Sequence, residues 1–122
     1  WISGQSYHPP YGQVEVKVTN SDHPGAKGIS NFVTNDELYM GIAYREAGND
    51  VFMTADAGDS NHVWPSRGGS PKDMPGGTFP LGWTRSFGQG KVFVTLLGHN
   101  GLSFQSPDFQ KLILNGIDWA TS

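Results

Sequence analysis

The chain contains no cysteine, which excludes disulfides, thiolate metal sites and a cysteine nucleophile within these residues. Zero cysteines suit oxidising and reducing compartments alike, so cytoplasm and periplasm both stay open. Positive charge is sparse. Lys and Arg number 8 against 11 Asp and Glu, a formal net charge of -3 with a sequence pI near 5.7, and such a surface does not neutralise many phosphates. That argues against nucleic acid as a partner, and the want of a polybasic face argues equally against a membrane surface. No apolar run approaches the roughly 20 residues needed to cross a bilayer, and Trp1-Ile2-Ser3-Gly4 is not a secretory leader. The start without methionine reads as a mature, processed or truncated one.

Familiar binding motifs are missing too. No Gly-x-Gly-x-x-Gly follows a strand, and there is neither a phosphate loop nor a Gly-x-Ser-x-Gly nucleophile turn. Nucleotide-binding and serine-hydrolase readings therefore fall away, and no cofactor is implied. The four histidines, His8, His23, His62 and His99, lie far apart with no two at i, i+4. A metal site would need tertiary convergence, and none is expected.

What is present suits one domain, or part of one, since 122 residues support a single hydrophobic core but not two. Gly 17 and Pro 8 assign much of the chain to loops. Val14, Val16 and Val18 alternate with Glu15 and Lys17, the period of a half-buried strand. After the turn residues Thr19 to Pro24, Pro24 opens a short helical turn that Gly28 closes. Phe32 to Thr34 reads as a strand leading into Asn35-Asp36-Glu37-Leu38-Tyr39, and Val51 to Ala55 as one covered on both faces. From Gly58 to Pro80 the composition predicts a long surface excursion. Leu81 to Ser86 and Val92 to Leu97 flank Phe87-Gly88-Gln89-Gly90-Lys91, a hairpin signature. Ser106-Pro107-Asp108 then starts an amphipathic helix that packs through Phe109, Leu112, Ile113, Gly116, Ile117 and Ala120.

Candidate chemistry follows the strands, because loops at strand ends can converge over a rigid sheet. Three polar groups qualify: Asp36 with Glu37, Asp56 with Asp59, and Gly98-His99-Asn100. An imidazole exchanges protons near neutral pH, and Glu37 could orient it or share acid–base duty. The plainer readings stand beside these: a polar turn for His99, and a carboxylate bound to backbone amides for Glu37. Arg85 is either a clamp for a hydroxyl-rich or carboxylate ligand or a paired surface cation. Tyr39, Trp64 and Trp83 either stack on a sugar ring or fill the core.

Taken in order, several motifs carry a likeness. They are Tyr7-His8-Pro9-Pro10, Asp22-His23-Pro24 with Lys27-Gly28-Ile29, Asn35-Asp36-Glu37-Leu38-Tyr39, Trp83-Thr84-Arg85-Ser86-Phe87-Gly88, Leu97-Gly98-His99, and Phe104-Gln105 through Asn115-Gly116-Ile117-Asp118-Trp119-Ala120. Together they resemble the ThuA-like (trehalose utilisation) family, nearly end to end. The resemblance implies an α/β fold, a flavodoxin-like, class I glutamine amidotransferase-like parallel sheet with flanking helices, of which this chain matches only the C-terminal part. The first strands would then lie upstream of Trp1, and either that missing N-terminal half or a partner chain would cover the sheet edge. It further implies carbohydrate metabolism, with a small sugar of trehalose or keto-sugar type as ligand. On that footing His99 and Glu37 are the expected catalytic pair, and Arg85, Tyr39, Asp36 and Trp83 the expected substrate contacts. A non-catalytic accessory subunit of a larger assembly is the rival expectation. Asn100 stands where the family commonly has an acid, which weakens a pairing across that turn.

Overall fold

The computed structural model describes residues 6–43, 47–63 and 71–122, the side chains at 62, 63, 71 and 72 excepted. The valine alternation produces strand β1 (Gly12–Val18), with Val14 and Val16 buried and Gln13, Glu15 and Lys17 exposed. It pairs on one side with β2 (Phe32–Asp36), in a register that sets Gly12 opposite Asp36 and Val14 opposite Thr34. On the other side it meets β3 (Asp50–Ala57). Within the span expected to be a surface excursion, the described residues include two strands, β4 (Ser60–Val63) and β5 (Pro71–Met74), which pair as a separate two-stranded sheet. The predicted hairpin forms from β6 (Gly77–Phe87) and β7 (Gly90–Thr95), closing at Phe87 opposite Gly90.

The main sheet has the order β2-β1-β3-β6-β7, and every described pairing in it is antiparallel. A parallel sheet is thus not what these residues build. Parallel neighbours need a crossover of a dozen or more residues, usually a helix between the strands. Here the described α-helix, α1 (Pro107–Thr121), comes after the last strand.

That helix begins as its cap predicts. The Ser106 hydroxyl accepts a hydrogen bond from the Phe109 amide, with Pro107 following and Asp108 in the first turn. Phe109, Leu112 and Gly116 are buried, and Gly116 allows close packing, since a Cβ there would stand 2.5 Å from the Phe93 ring of β7. Ile117 and Ala120 depart from the expected apolar stripe and are exposed. Polar ties complete the docking of α1 onto the 3-10 turn at Pro24–Ala26: Asn115 Nδ2 donates to the carbonyls of Gly25 and Lys27, and Lys111 Nζ to that of Gly28. The core between helix and sheet joins Val14, Val16, Phe52, Leu81, Phe109 and Leu112.

His23 is part of this packing. Its ring is buried and stacked on Phe52, with centroids 4.3 Å apart and planes 8° apart. Nδ1 accepts the Gly25 amide at 2.9 Å, so the proton of the neutral ring belongs on Nε2, which donates to Thr84 Oγ1 at 2.9 Å. Burial lowers the His23 pKa below the ordinary histidine value, partly opposed by the Asp50 carboxylate. Protonation would also place a second donor against the Gly25 N–H. A histidine whose folded pKa is depressed contributes full stability above its unfolded value of about 6.5 and loses it as pH falls toward the folded value. We therefore expect the melting temperature to fall between about pH 7.5 and about pH 5.5, more steeply in the wild-type chain than in His23→Gln. Equal slopes in calorimetry would show that His23 does not contribute to this loss.

Candidate functional site

The site begins with Asp36, the last residue of β2. It lies on the inward face with Thr34 and is 1% exposed. A buried carboxylate is costly unless its oxygens are bonded. Here Oδ2 accepts the Gly98 amide at 2.8 Å, and Oδ1 accepts the amides of His99 at 3.1 Å and Glu37 at 2.9 Å. Three backbone donors from two distant segments thus converge on one side chain. Gly98 makes the convergence sterically feasible: its φ of +112° belongs to glycine, and a Cβ there would come within 3.1 Å of the Phe109 ring.

With the turn so fixed, His99 Nδ1 lies 3.0 Å from Glu37 Oε2. The other oxygen of Glu37, Oε1, lies 3.6 Å from Nδ1 of His8. His8 arrives by a backbone bridge, in which Tyr7 and Met40 exchange N–H···O bonds of 3.0 and 2.7 Å. Gly41 at φ +62° permits that approach, since a Cβ would fall 2.2 Å from the Tyr7 ring. The Glu37 side chain is 13% exposed, against 39% for His99. Tyr39 completes the group. Burial first, then the Glu37 charge, a hydrogen bond to that carboxylate and the charge of Asp36 raise its hydroxyl pKa above the ordinary tyrosine value, so it stays a donor at neutral pH.

Tyr39 and His99 line one recess of about 380 Å³ with Thr95, Leu96, Leu97 and Gly98. Tyr11 borders it, its ring centroid 5.6 Å from that of His99 and its hydroxyl donating to the Asn35 carbonyl. Asn100 Oδ1 accepts the Leu102 amide at 2.9 Å and the Tyr11 hydroxyl at 3.3 Å. Among the described residues no group of three or more histidine, aspartate or glutamate side chains is arranged to hold a metal ion.

Of the residues singled out in the sequence, His99, Glu37 and Tyr39 come together. Asp36 is adjacent, but its burial and its amide bonds make it the anchor of the turn rather than a substrate contact. Trp83 is 6% exposed and offers no free ring face to a sugar. Arg85 belongs to the far end of the hairpin, opposite Val92, and donates to Asn49. Three ladder steps, about 10 Å at strand spacing, separate it from the Gly82–Thr95 pair, beyond which the chain still runs on to His99. It is not among the residues that line the recess. Asp56 is engaged by Lys17 and Thr78 on the strand surface, and Asp59 accepts the Gly76 amide. Trp64 lies outside the described residues. His8 and Tyr11 were not expected as site residues, and the one sequence signal for His8 was its place in the Tyr7-His8-Pro9-Pro10 motif.

Comparison with known proteins agrees with this architecture. The family model described as trehalose utilisation (ThuA) matches residues 3–120. A ThuA-like protein from Parabacteroides merdae is similar in fold, with a TM-score of 0.70 and 25% identity over 97% of this chain and 41% of that one. A ThuA-like protein from Bacteroides uniformis gives a TM-score of 0.69 and 21% identity over 96% of this chain and 47% of that one. The chain thus spans less than half the length of either solved relative. No curated protein matches it.

Replacing the anchor gives a direct test. Hydrogen bonds to charged groups contribute about 1.5–3 kcal/mol each, so Asp36→Ala is expected to destabilise the chain by about 3 kcal/mol or more in urea unfolding. Glu37→Ala, which removes a carboxylate with no comparable set of backbone bonds, should cost less than half as much. Equal losses would mean that Asp36 has no special anchoring role.

Proposed function

The chain belongs to the trehalose-utilisation (ThuA) family, and we propose that it forms part of a sugar-converting enzyme that moves a proton at a carbon beside a carbonyl, with a keto-sugar as substrate. The family description ties it to carbohydrate metabolism. The observation that carries the finer reading is the 3.0 Å contact of His99 Nδ1 with Glu37 at the edge of the recess. A carboxylate facing Nδ1 favours the proton there, which leaves Nε2 with the lone pair of a base. His99 Nε2 would take the C–H proton, the electron pair would enter the enolate, and the carbonyl oxygen would receive a proton in return. Glu37 orients the ring and stabilises the imidazolium that forms. Isomerisation and elimination both begin with this step, and neither needs an oxidant.

Simple hydrolysis of a trehalose-type bond fits less well. Glycosidases ordinarily use two carboxylates about 5–9.5 Å apart, one as acid and one as nucleophile or base. The carboxylate adjoining Glu37 is Asp36, and both its oxygens are engaged by amides. Tyr39 and Tyr11 supply ring faces of the kind that pack on sugar C–H groups.

The class I glutamine amidotransferase-like, flavodoxin-like sheet belongs to the same proposal as a parallel sheet formed by strands outside this chain, which would be the C-terminal portion of the domain. The greater length of both solved relatives supports that reading. So does the sheet boundary: β7 ends the described sheet, and Phe87, Val92, Leu114 and Ile117 are exposed on or near that strand and on the helix packed against it. Further strands of a longer protein, or a partner chain, would cover this edge. The rival reading, an accessory subunit, draws on the same open edge.

Proton NMR in deuterated water tests the reading on a panel of ketoses, with trehalose as the contrast. We expect deuterium to enter beside the carbonyl with the wild-type chain. His99→Ala should abolish the exchange, and Glu37→Gln should slow it by about 10²–10⁴, the usual scale of acid–base assistance. Arg85→Ala should leave it unchanged. Undiminished exchange in His99→Ala would remove the proposal.

A further inference from the structure

Glu37 is a single carboxylate with an imidazole on each oxygen, and the histidine opposite His99 has no part in the reaction just described. His8 Nδ1 faces two acceptors at once, the Pro9 carbonyl at 2.8 Å and Glu37 Oε1 at 3.6 Å. A nitrogen set between two oxygens is stable there as N–H, because a lone pair in that place would be repelled by both. The Nε2–H form of neutral His8 is therefore disfavoured, and Nε2 is the nitrogen that keeps the lone pair. The same logic holds for His99 against Glu37 Oε2. One carboxylate thus sets both rings in the same tautomer.

We propose that His8 is the second proton-transfer group of this site, exchanging a proton through Nε2 with a carbonyl-bearing sugar while His99 serves the neighbouring carbon. The inference rests on the proton-transfer reading above and deepens it. Enolisation needs a base for the C–H proton and an acid for the carbonyl oxygen, and two imidazoles sharing a carboxylate supply both. With one imidazole on each oxygen of the same carboxylate, a protonated ring on one side and a neutral ring on the other would give the site an acid and a base at once. The proton taken from carbon by one ring is balanced by the proton delivered to oxygen from the other. The positions suit the role. His8 is 23% exposed in its side chain, and its ring lies 5.5 Å from that of Tyr39, which lines the recess. Among the described residues, the groups set against His8 include Glu37 and Tyr39 from the segment after β2, with His99 on the other oxygen of the same carboxylate.

Two measurements decide the matter. Long-range proton–nitrogen NMR of the histidine-labelled chain reads the tautomer directly and needs no substrate. The expected result is a neutral His8 with Nδ1 protonated and Nε2 bare; a His8 protonated at Nε2 overturns the proposal even if the chain converts no sugar. The second measurement is the pH dependence of deuterium exchange into a ketose. A bell-shaped profile is expected for the wild-type chain, with one limb lost and the optimum rate lowered by about 10²-fold or more in His8→Gln and His8→Asn. The Tyr7–Met40 bridge is made by backbone groups, so both variants should keep the fold. A full bell at near wild-type rate in either variant overturns the assignment and reduces His8 to a packing group.

Discussion

The arrangement around Glu37 and His99 depends on one buried carboxylate. Asp36 has no solvent to stabilise its charge, so it is held by the amides of Glu37, Gly98 and His99. Those bonds reconcile two constraints. They satisfy the charge, and they also join the end of β2 to the turn after β7, strands at opposite edges of the sheet. The cost of burying the group is met only if the turn sits in one place. Strain at that place is relieved by a glycine with positive φ, and the neighbouring helix residue Phe109 closes over it. The backbone of His99 is thereby placed so that its imidazole meets the Glu37 carboxylate.

A second level of order is built on the first. Glu37 follows the anchored residue, and its two oxygens meet rings from two chain segments, His8 on one and His99 on the other. Tyr39, two residues further on, is both a wall of the recess and a donor whose proton is held by burial and by the Glu37 charge. The short stretch from Asp36 to Tyr39 therefore supplies the anchor, the carboxylate between the two histidines and an aromatic wall, because burial alternates along it, Asp36 and Leu38 being buried and Glu37 and Tyr39 partly exposed.

Much of this was legible in the sequence, for local reasons. The valine alternation of β1, the glycine pair at the β6–β7 turn and the Ser106-Pro107-Asp108 cap each declare themselves within a few residues. The juxtaposition of Glu37 with His99 was expected from their places after strands. The antiparallel course of the sheet was not, because the family likeness implied crossovers that the connections within this chain do not make. The approach of His8 to Glu37 was hidden as well. It depends on the bridge from Tyr7 to Met40, a pairing of single residues far apart in sequence that leaves no periodic trace. Arg85 shows the limit from the other side: expected as a substrate contact from the Trp83-Thr84-Arg85 motif, it sits opposite Val92 in the hairpin ladder and donates to Asn49. Trp83 is the same lesson in burial: an aromatic in a strand fills space unless a cleft opens on it.

The account stands on the Asp36 anchorage, and amide hydrogen exchange of the native chain measures it residue by residue. The Gly98 and His99 amides lie in a turn, where exchange is ordinarily fast, yet their bonds to a buried carboxylate should slow them to the range of the amides paired within β1 and β2. Exchange of those two amides at the rate of the exposed Gly88–Gln89 turn would contradict it, and would leave the meeting of His99 with Glu37 without a cause.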